Sequence, residues 1–154
     1  MDRISFGLTL GFLTIGWHPI RAESADVQAV RQVLQDQIAA WNRGDLQAFM
    51  ETYWNSPELT FFSGGDLQKG WEATYRRFRQ RYQAEGKEMG HLSFSEVVVD
   101  PLSDKHMLVR GRWHLKLTSS VQAGLFTLIV ARQRNGWRII HDHTSVGAES
   151  VEKP

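Results

Sequence analysis

Met107-Leu108-Val109-Arg110-Gly111-Arg112-Trp113-His114-Leu115-Lys116-Leu117 decides the fold class. Val109, Trp113, Leu115 and Leu117 fall on one face of an extended chain, and Arg110, Arg112, His114 and Lys116 on the other. That period of two marks a strand with one buried side. Downstream, Leu125 to Arg132 is a nearly continuous apolar strand, and the hairpin turn Asn135-Gly136 leads into Trp137 to Thr144. Upstream, Phe94 to Val99 is rich in β-branched residues and stops at Asp100-Pro101.

Before Leu92 the period is helical. Val27, Val30, Leu34, Ile38 and Trp41 make one face of a helix that Ser24 or Asp26 can cap and Gly44 can end. Asp45 caps a second helix with Leu46, Phe49, Met50 and Tyr53 inward, stopped at Ser56-Pro57. Leu59-Thr60-Phe61-Phe62 is a short strand closed by the turn Ser63-Gly64-Gly65-Asp66. Trp71, Tyr75, Phe78 and Tyr82 then line a third helix, with Arg76, Arg77, Arg79 and Arg81 on its flanks. Helices followed by long antiparallel strands define an α+β protein, its three N-terminal helices packed on one face of a mostly antiparallel sheet.

The first 22 residues read as a targeting segment. Ile4 to Trp17 is apolar, His18-Pro19 breaks the run, and Ile20-Arg21-Ala22 ends on a small residue. This is the layout of a secretory signal, and the run is shorter than the about 20 apolar residues a membrane span needs. An uncleaved N-terminal anchor is the alternative, because Asp2 offsets Arg3. The expected organisation is a signal peptide over 1–22, one domain over 23–147 and a flexible tail over 148–154. Loss of Arg3, Arg21 and Asp2 leaves the mature chain neutral. With no cysteine there is no disulfide, thiolate metal site or lipid-anchoring thiol, which suits a periplasmic or secreted protein. A formal charge of +1 also removes any bulk attraction to nucleic acid or an anionic membrane.

Two separated motifs carry a resemblance: Trp41-Asn42-Arg43-Gly44-Asp45 between the first two helices, and Gly136-Trp137-Arg138-Ile139-Ile140-His141-Asp142-His143-Thr144-Ser145 near the end. With the order of elements and Gly70 ahead of the third helix, the chain from Val27 to Ser145 resembles the SnoaL-like division of the nuclear transport factor 2-like superfamily. The resemblance implies a cone-shaped α+β barrel shared with ketosteroid isomerases, a strongly curved sheet around a pocket, and dimers formed through the sheet. No acid aligns with the isomerases' general base, so architecture carries over and no catalytic residue does.

His141-Asp142-His143 is the most suggestive cluster. Strict alternation puts His141 and His143 on one face with Trp137 and Ile139, where an imidazole titrating near neutrality can act as base or acid. The plainer reading gives one His a structural hydrogen bond and leaves the other at the sheet rim. With the opposite face inward, Asp142 is the active carboxylate. Tyr53, Trp71, Tyr75 and Trp113 are candidate ligand-binding groups: Tyr53, Tyr75 and Trp113 with a polar end to offer a ligand carbonyl, Trp71 as a closure of the pocket's mouth, or else all are plain core. No metal is expected, because His-x-His needs a third ligand and His91, His106 and His114 stand at no diagnostic spacing. No organic cofactor is expected either, and Ser63-Gly64-Gly65-Asp66 lacks the lysine of a phosphate loop. The run Arg76-Arg77-Phe78-Arg79-Gln80-Arg81 reads as a solvated flank.

Three functions fit these residues. The first is an exported cone protein binding a small, largely apolar molecule. The second is a proton-transfer enzyme of isomerase, cyclase or dehydratase type with His141 or His143 as base. The third is a dimerisation domain without a ligand, with the polar face of Arg112 and His114 at its interface.

Overall fold

Ser24 opens helix α1 (Ala25–Asn42) by accepting the Val27 N–H on its side chain, and Asp45 opens α2 (Leu46–Glu51) the same way at Ala48. The chain reverses between them through Gly44, whose φ of 79° a side chain would strain. Residues 23–147 are described, in a computed structural model; the expected signal peptide and tail lie outside the described residues. After α2 come β1 (Thr60–Ser63), β2 (Asp66–Lys69), α3 (Trp71–Tyr82), β3 (His91–Pro101), β4 (His106–Lys116), β5 (Val121–Gln133) and β6 (Gly136–Thr144).

The strands form one six-stranded sheet in the order β2-β1-β6-β5-β4-β3, antiparallel except where β1 runs parallel to β6. The helices cover one face. Val30, Leu34 and Trp41 of α1 and Leu46, Phe49 and Met50 of α2 share a core with Val109, Leu128, Val130 and Ile139 of the sheet. The expected α+β class holds, with one difference: the sheet stays open, β2 and β3 forming its edges, and does not close into a barrel. Its curvature has local causes. In β3, Ser95 pairs with Arg112 and Val98 with Arg110, so Glu96 and Val97 face Gly111 alone. Glu96 takes φ 54° there, and such bulges bend and twist the strand. A Cβ on Gly111 would lie 2.6 Å from the Phe126 ring, which explains glycine inside an otherwise regular strand.

The alternation of β4 is as expected. Val109, Trp113 and Leu115 are buried, and the opposite side is polar. That polar side is satisfied within the chain: Arg110 pairs with Asp100, Arg112 with Glu96 at 3.5 Å, and His114 Nε2 meets Ser95 Oγ at 3.1 Å. Two expectations need correction. The turn at Gly64-Gly65 is a tight hairpin with positive φ at both glycines, so Asp66-Leu67-Gln68-Lys69 is drawn into a strand by turn chemistry rather than by its own composition. The second helix ends at Glu51, and Tyr53 lies beyond it.

The motif at Trp41 to Asp45 is structural. Trp41 Nε1 donates to the Met89 carbonyl at 2.7 Å. Asn42 both accepts the Leu92 N–H at 2.7 Å and donates to the Leu92 carbonyl at 3.0 Å, tying the end of α1 to edge strand β3. Replacing Asn42 by Ala orphans both groups. We expect a loss of about 1–3 kcal/mol in urea unfolding with an unchanged m-value; a loss below about 0.5 kcal/mol would contradict this role.

Candidate functional site

One extra residue in β6 sets the site. Val130 of β5 pairs with Ile139 while Ile129 pairs with His141, leaving Ile140 unpaired as a bulge. Alternation restarts out of phase beyond it. Trp137, Ile139 and Asp142 are therefore buried under the helices, and His143 is exposed on the other side. This corrects the expected inward placement of His141 and His143. His141 Nδ1 lies 2.7 Å from Thr60 Oγ1, and both imidazoles make edge contacts with Phe62, at centroid distances of 4.9 and 5.9 Å. Partial burial, then the neighbouring His143, hold the His141 imidazole below its ordinary pKa.

A second device brings Asp142 its partner. Beyond α2 the chain docks on β6: the Ile139 N–H donates to the Thr52 carbonyl at 3.0 Å and the Trp54 N–H to the Ile139 carbonyl at 2.9 Å. Tyr53 between them points its hydroxyl at Asp142 and donates to Oδ2 at 2.8 Å, while Thr144 donates to Oδ1 at 2.7 Å. Burial raises the Asp142 carboxyl to about 6, against the opposing pull of the Thr144 and Tyr53 hydroxyls and of His143. The Tyr53 phenol is pushed well above its usual range by burial and by the Asp142 charge, and stays protonated. Buried Gln37 of α1 lies against the same hydroxyl.

These groups line a cavity of about 100 Å³. Trp41, Phe49, Phe61 and Phe78 wall it on one side, and Phe94, Trp113, Phe126 and Leu128 on the other. The aromatics lock edge to face: Trp41 sits 5.0 Å from Phe49 and 4.8 Å from Tyr82. Asp142, Gln37 and Thr144 supply polarity inside, and Arg77 and Arg81 of α3 also line the space.

Of the expected ligand-binding residues, Tyr53 and Trp113 line the cavity, whereas Trp71 and Tyr75 do not. Trp71 donates Nε1 to the Met50 carbonyl at 2.8 Å and stacks on Tyr75, a packing role. Trp113 donates Nε1 to the Ser145 carbonyl at 3.0 Å, a close approach that Gly124 permits by lacking a Cβ. Each of the three donors, Tyr53, Trp71 and Trp113, is thus engaged inside the protein. The polar capacity left for a ligand lies with the unused lone pairs of Asp142, with Gln37 and with the arginines. Arg77 and Arg81 were expected on a solvated flank. Helical spacing does not single them out, since Arg79 adjoins Phe78 as closely as Arg77 does. Among the described residues no three of His, Asp and Glu come together as a metal site.

The family model for the SnoaL-like domain matches residues 30–149. An NTF-2 like protein of unknown function from Shewanella oneidensis is 35% identical, with 77% of this chain and 97% of that one covered and a TM-score of 0.72. An NTF2-like superfamily protein from Salmonella enterica is similar in fold at 16% identity and TM-score 0.66, over 82% of this chain and 94% of its own. A cystatin-like fold domain of unknown function from Nostoc punctiforme is similar at 24% identity and TM-score 0.62, covering 82% of this chain and 80% of its own. No curated protein matches the sequence.

The raised Asp142 pKa has a consequence for stability. The native state holds this proton more tightly than the unfolded chain, so the stabilisation is complete below about pH 4 and is lost as pH rises through about 6. Asp142→Asn removes the titration but sets an amide NH2 group against one of the two hydroxyl donors. The difference in urea stability between variant and parent is therefore expected to shift in the variant's favour by on the order of 2–3 kcal/mol from pH 4 to pH 7.5. A difference that stays constant over that range would refute the assignment.

Proposed function

Since this chain belongs to the SnoaL-like domain family, whose fold encloses the cavity described above, we propose that it binds a small, largely apolar molecule with one hydrogen-bonding group seated on Asp142. The observation that carries this is a buried carboxylate, with lone pairs to spare, in an otherwise aromatic space. Size narrows the ligand. A cavity of about 150 Å³ holds one benzene ring, so about 100 Å³ of space with an open mouth suits a single ring rather than a fused polycycle. At neutral pH the ionised carboxylate favours a hydroxyl donor. Below pH 6 its protonated form donates to a carbonyl.

A second reading follows from the same carboxylate. A base with a pKa of about 6 in a largely aromatic site is suited to removing a proton from carbon next to a ligand carbonyl. Asp142 takes this role instead of His141 or His143, which stand on the opposite face of the sheet. Gln37 is the amide donor available to a developing oxyanion, because the Tyr53 proton is already given to Asp142. We place this activity outside the cytoplasm, after removal of residues 1–22; support for that comes from the sequence pattern, and a mature protein beginning at Met1 would refute it.

The test pairs two probes. By calorimetry at pH 7.5, 4-methylphenol is expected to bind in about the 0.05–5 mM range, a reasonable span for eight heavy atoms, and Asp142→Asn to weaken it about five- to tenfold. Absence of binding, or equal binding by the variant, removes the reading. Cyclohexanone in deuterated buffer, followed by NMR, tests proton transfer. Exchange accelerated by the protein, rising through pH 6, abolished in Asp142→Asn and kept in His141→Ala and His143→Ala, establishes the enzyme. Exchange at the buffer rate leaves a binding protein.

A further inference from the structure

We propose that the ligand of this cavity is an anion, a ring compound whose hydrogen-bonding group sits on Asp142 and whose carboxylate is held by Arg81 with Arg77 beside it. This rests on the binding reading above and names the ligand class. Arg77 and Arg81 stand one turn apart on α3, and both line the cavity. The remaining positions of the same basic run provide the contrast: Arg76, Arg79 and Gln80 border a separate shallow groove on the far side of the helix. Two of the arginines are therefore turned toward the aromatic space, and a solvated flank alone does not account for them.

Their pairing differs. Arg77 Nη1 is held by Asp66 at 3.0 Å, which fixes its position and offsets part of its charge. Arg81 pairs with no carboxylate among the described residues; its guanidinium lies 5.5 Å from the centre of the Tyr82 ring. The acid nearest in the adjoining groove, Glu88, is already engaged, accepting the Thr118 N–H at 2.9 Å and the Thr118 hydroxyl at 2.8 Å. Among the described residues Asp142 is the single acid lining the cavity, and it is buried, while Arg81 is exposed. The space is thus polarised, with an acceptor inside and, at the solvent side, the guanidinium of Arg81 without a carboxylate partner among the described residues. A guanidinium presents a planar fork that fits a carboxylate with two parallel hydrogen bonds. A hydroxylated single-ring carboxylic acid carries a group suited to each end, and its ring is of the kind the aromatic walls accept.

Three probes measured by calorimetry at pH 7.5 and low salt test this: 4-methylphenol, 4-hydroxybenzamide and 4-hydroxybenzoate. The amide and the acid have nearly the same shape and differ in charge. The acid is expected to bind at least about fivefold tighter than the amide, with the advantage falling in 0.5 M salt as exposed charges are screened. Arg81→Gln should reduce that advantage to about twofold or less, and Arg81→Glu should invert it, each read as the ratio of acid to amide affinity within one variant. Circular dichroism and urea unfolding that match the parent show that the variants are folded. If 4-methylphenol binds but the acid is no tighter than the amide, or keeps its advantage in both Arg81 variants, this inference falls and the cavity reading stands. If none of the three binds, both fall.

Discussion

Asp142 is a carboxylate withdrawn from water, and much of the architecture follows from what that requires. An uncompensated buried charge costs several kcal/mol, while hydrogen bonds to a charged group return about 1.5–3 kcal/mol each. Tyr53 and Thr144 provide two of them. Thr144 is in place because it lies two residues along the same strand face. Tyr53 is 89 residues away in sequence and reaches Asp142 because its own backbone is docked on Ile139 of β6. The bulge at Ile140, the end of α2 and the polar floor of the cavity are therefore one mechanical unit. A change to any of them moves the others.

The aromatic walls and the curved sheet explain why there is a space to line. Rigid rings meeting edge to face hold α1, α2 and α3 at fixed separations, and the bulge in β3 turns the sheet toward them. Gly111 and Gly124 let neighbouring groups approach where a methyl group would collide. The motif from Trp41 to Asp45 works at the same level, tying α1 to β3 and capping α2. Its role is to build the fold. It touches the cavity through the Trp41 ring, as wall rather than as chemistry. That is why similarity across the family identifies an architecture and does not by itself identify a function.

Neither end of the cavity was legible. Arg77 and Arg81 could not be singled out within their run, because Arg76 and Arg79 also stand beside inward aromatics and a run of arginines invites a solvent-facing reading. Asp142 could not be separated from its histidine neighbours, because a single unpaired residue reverses every face beyond it and leaves no compositional mark on Ile139-Ile140. Of the donors proposed from chemistry alone, Tyr53 and Trp113 are used internally by the fold, and Tyr75 stacks on Trp71 away from the cavity. A side chain's type says what it can donate, and only its neighbours say whether that capacity is free.

By itself the sequence determined the element types, the helix caps at Ser24 and Asp45, the buried face of β4 and the α+β plan. These depend on local periodicity and on hydrogen bonds spanning a few residues, and both are written in the order of amino acids. The tertiary structure decided that Asp66 to Lys69 is a strand, that the sheet stays open, that Asp142 rather than His141 or His143 faces the helices, and that Tyr53 is its partner. Those outcomes rest on register between distant strands and on burial, quantities that arise when separate parts of the chain are brought together and that no local pattern encodes.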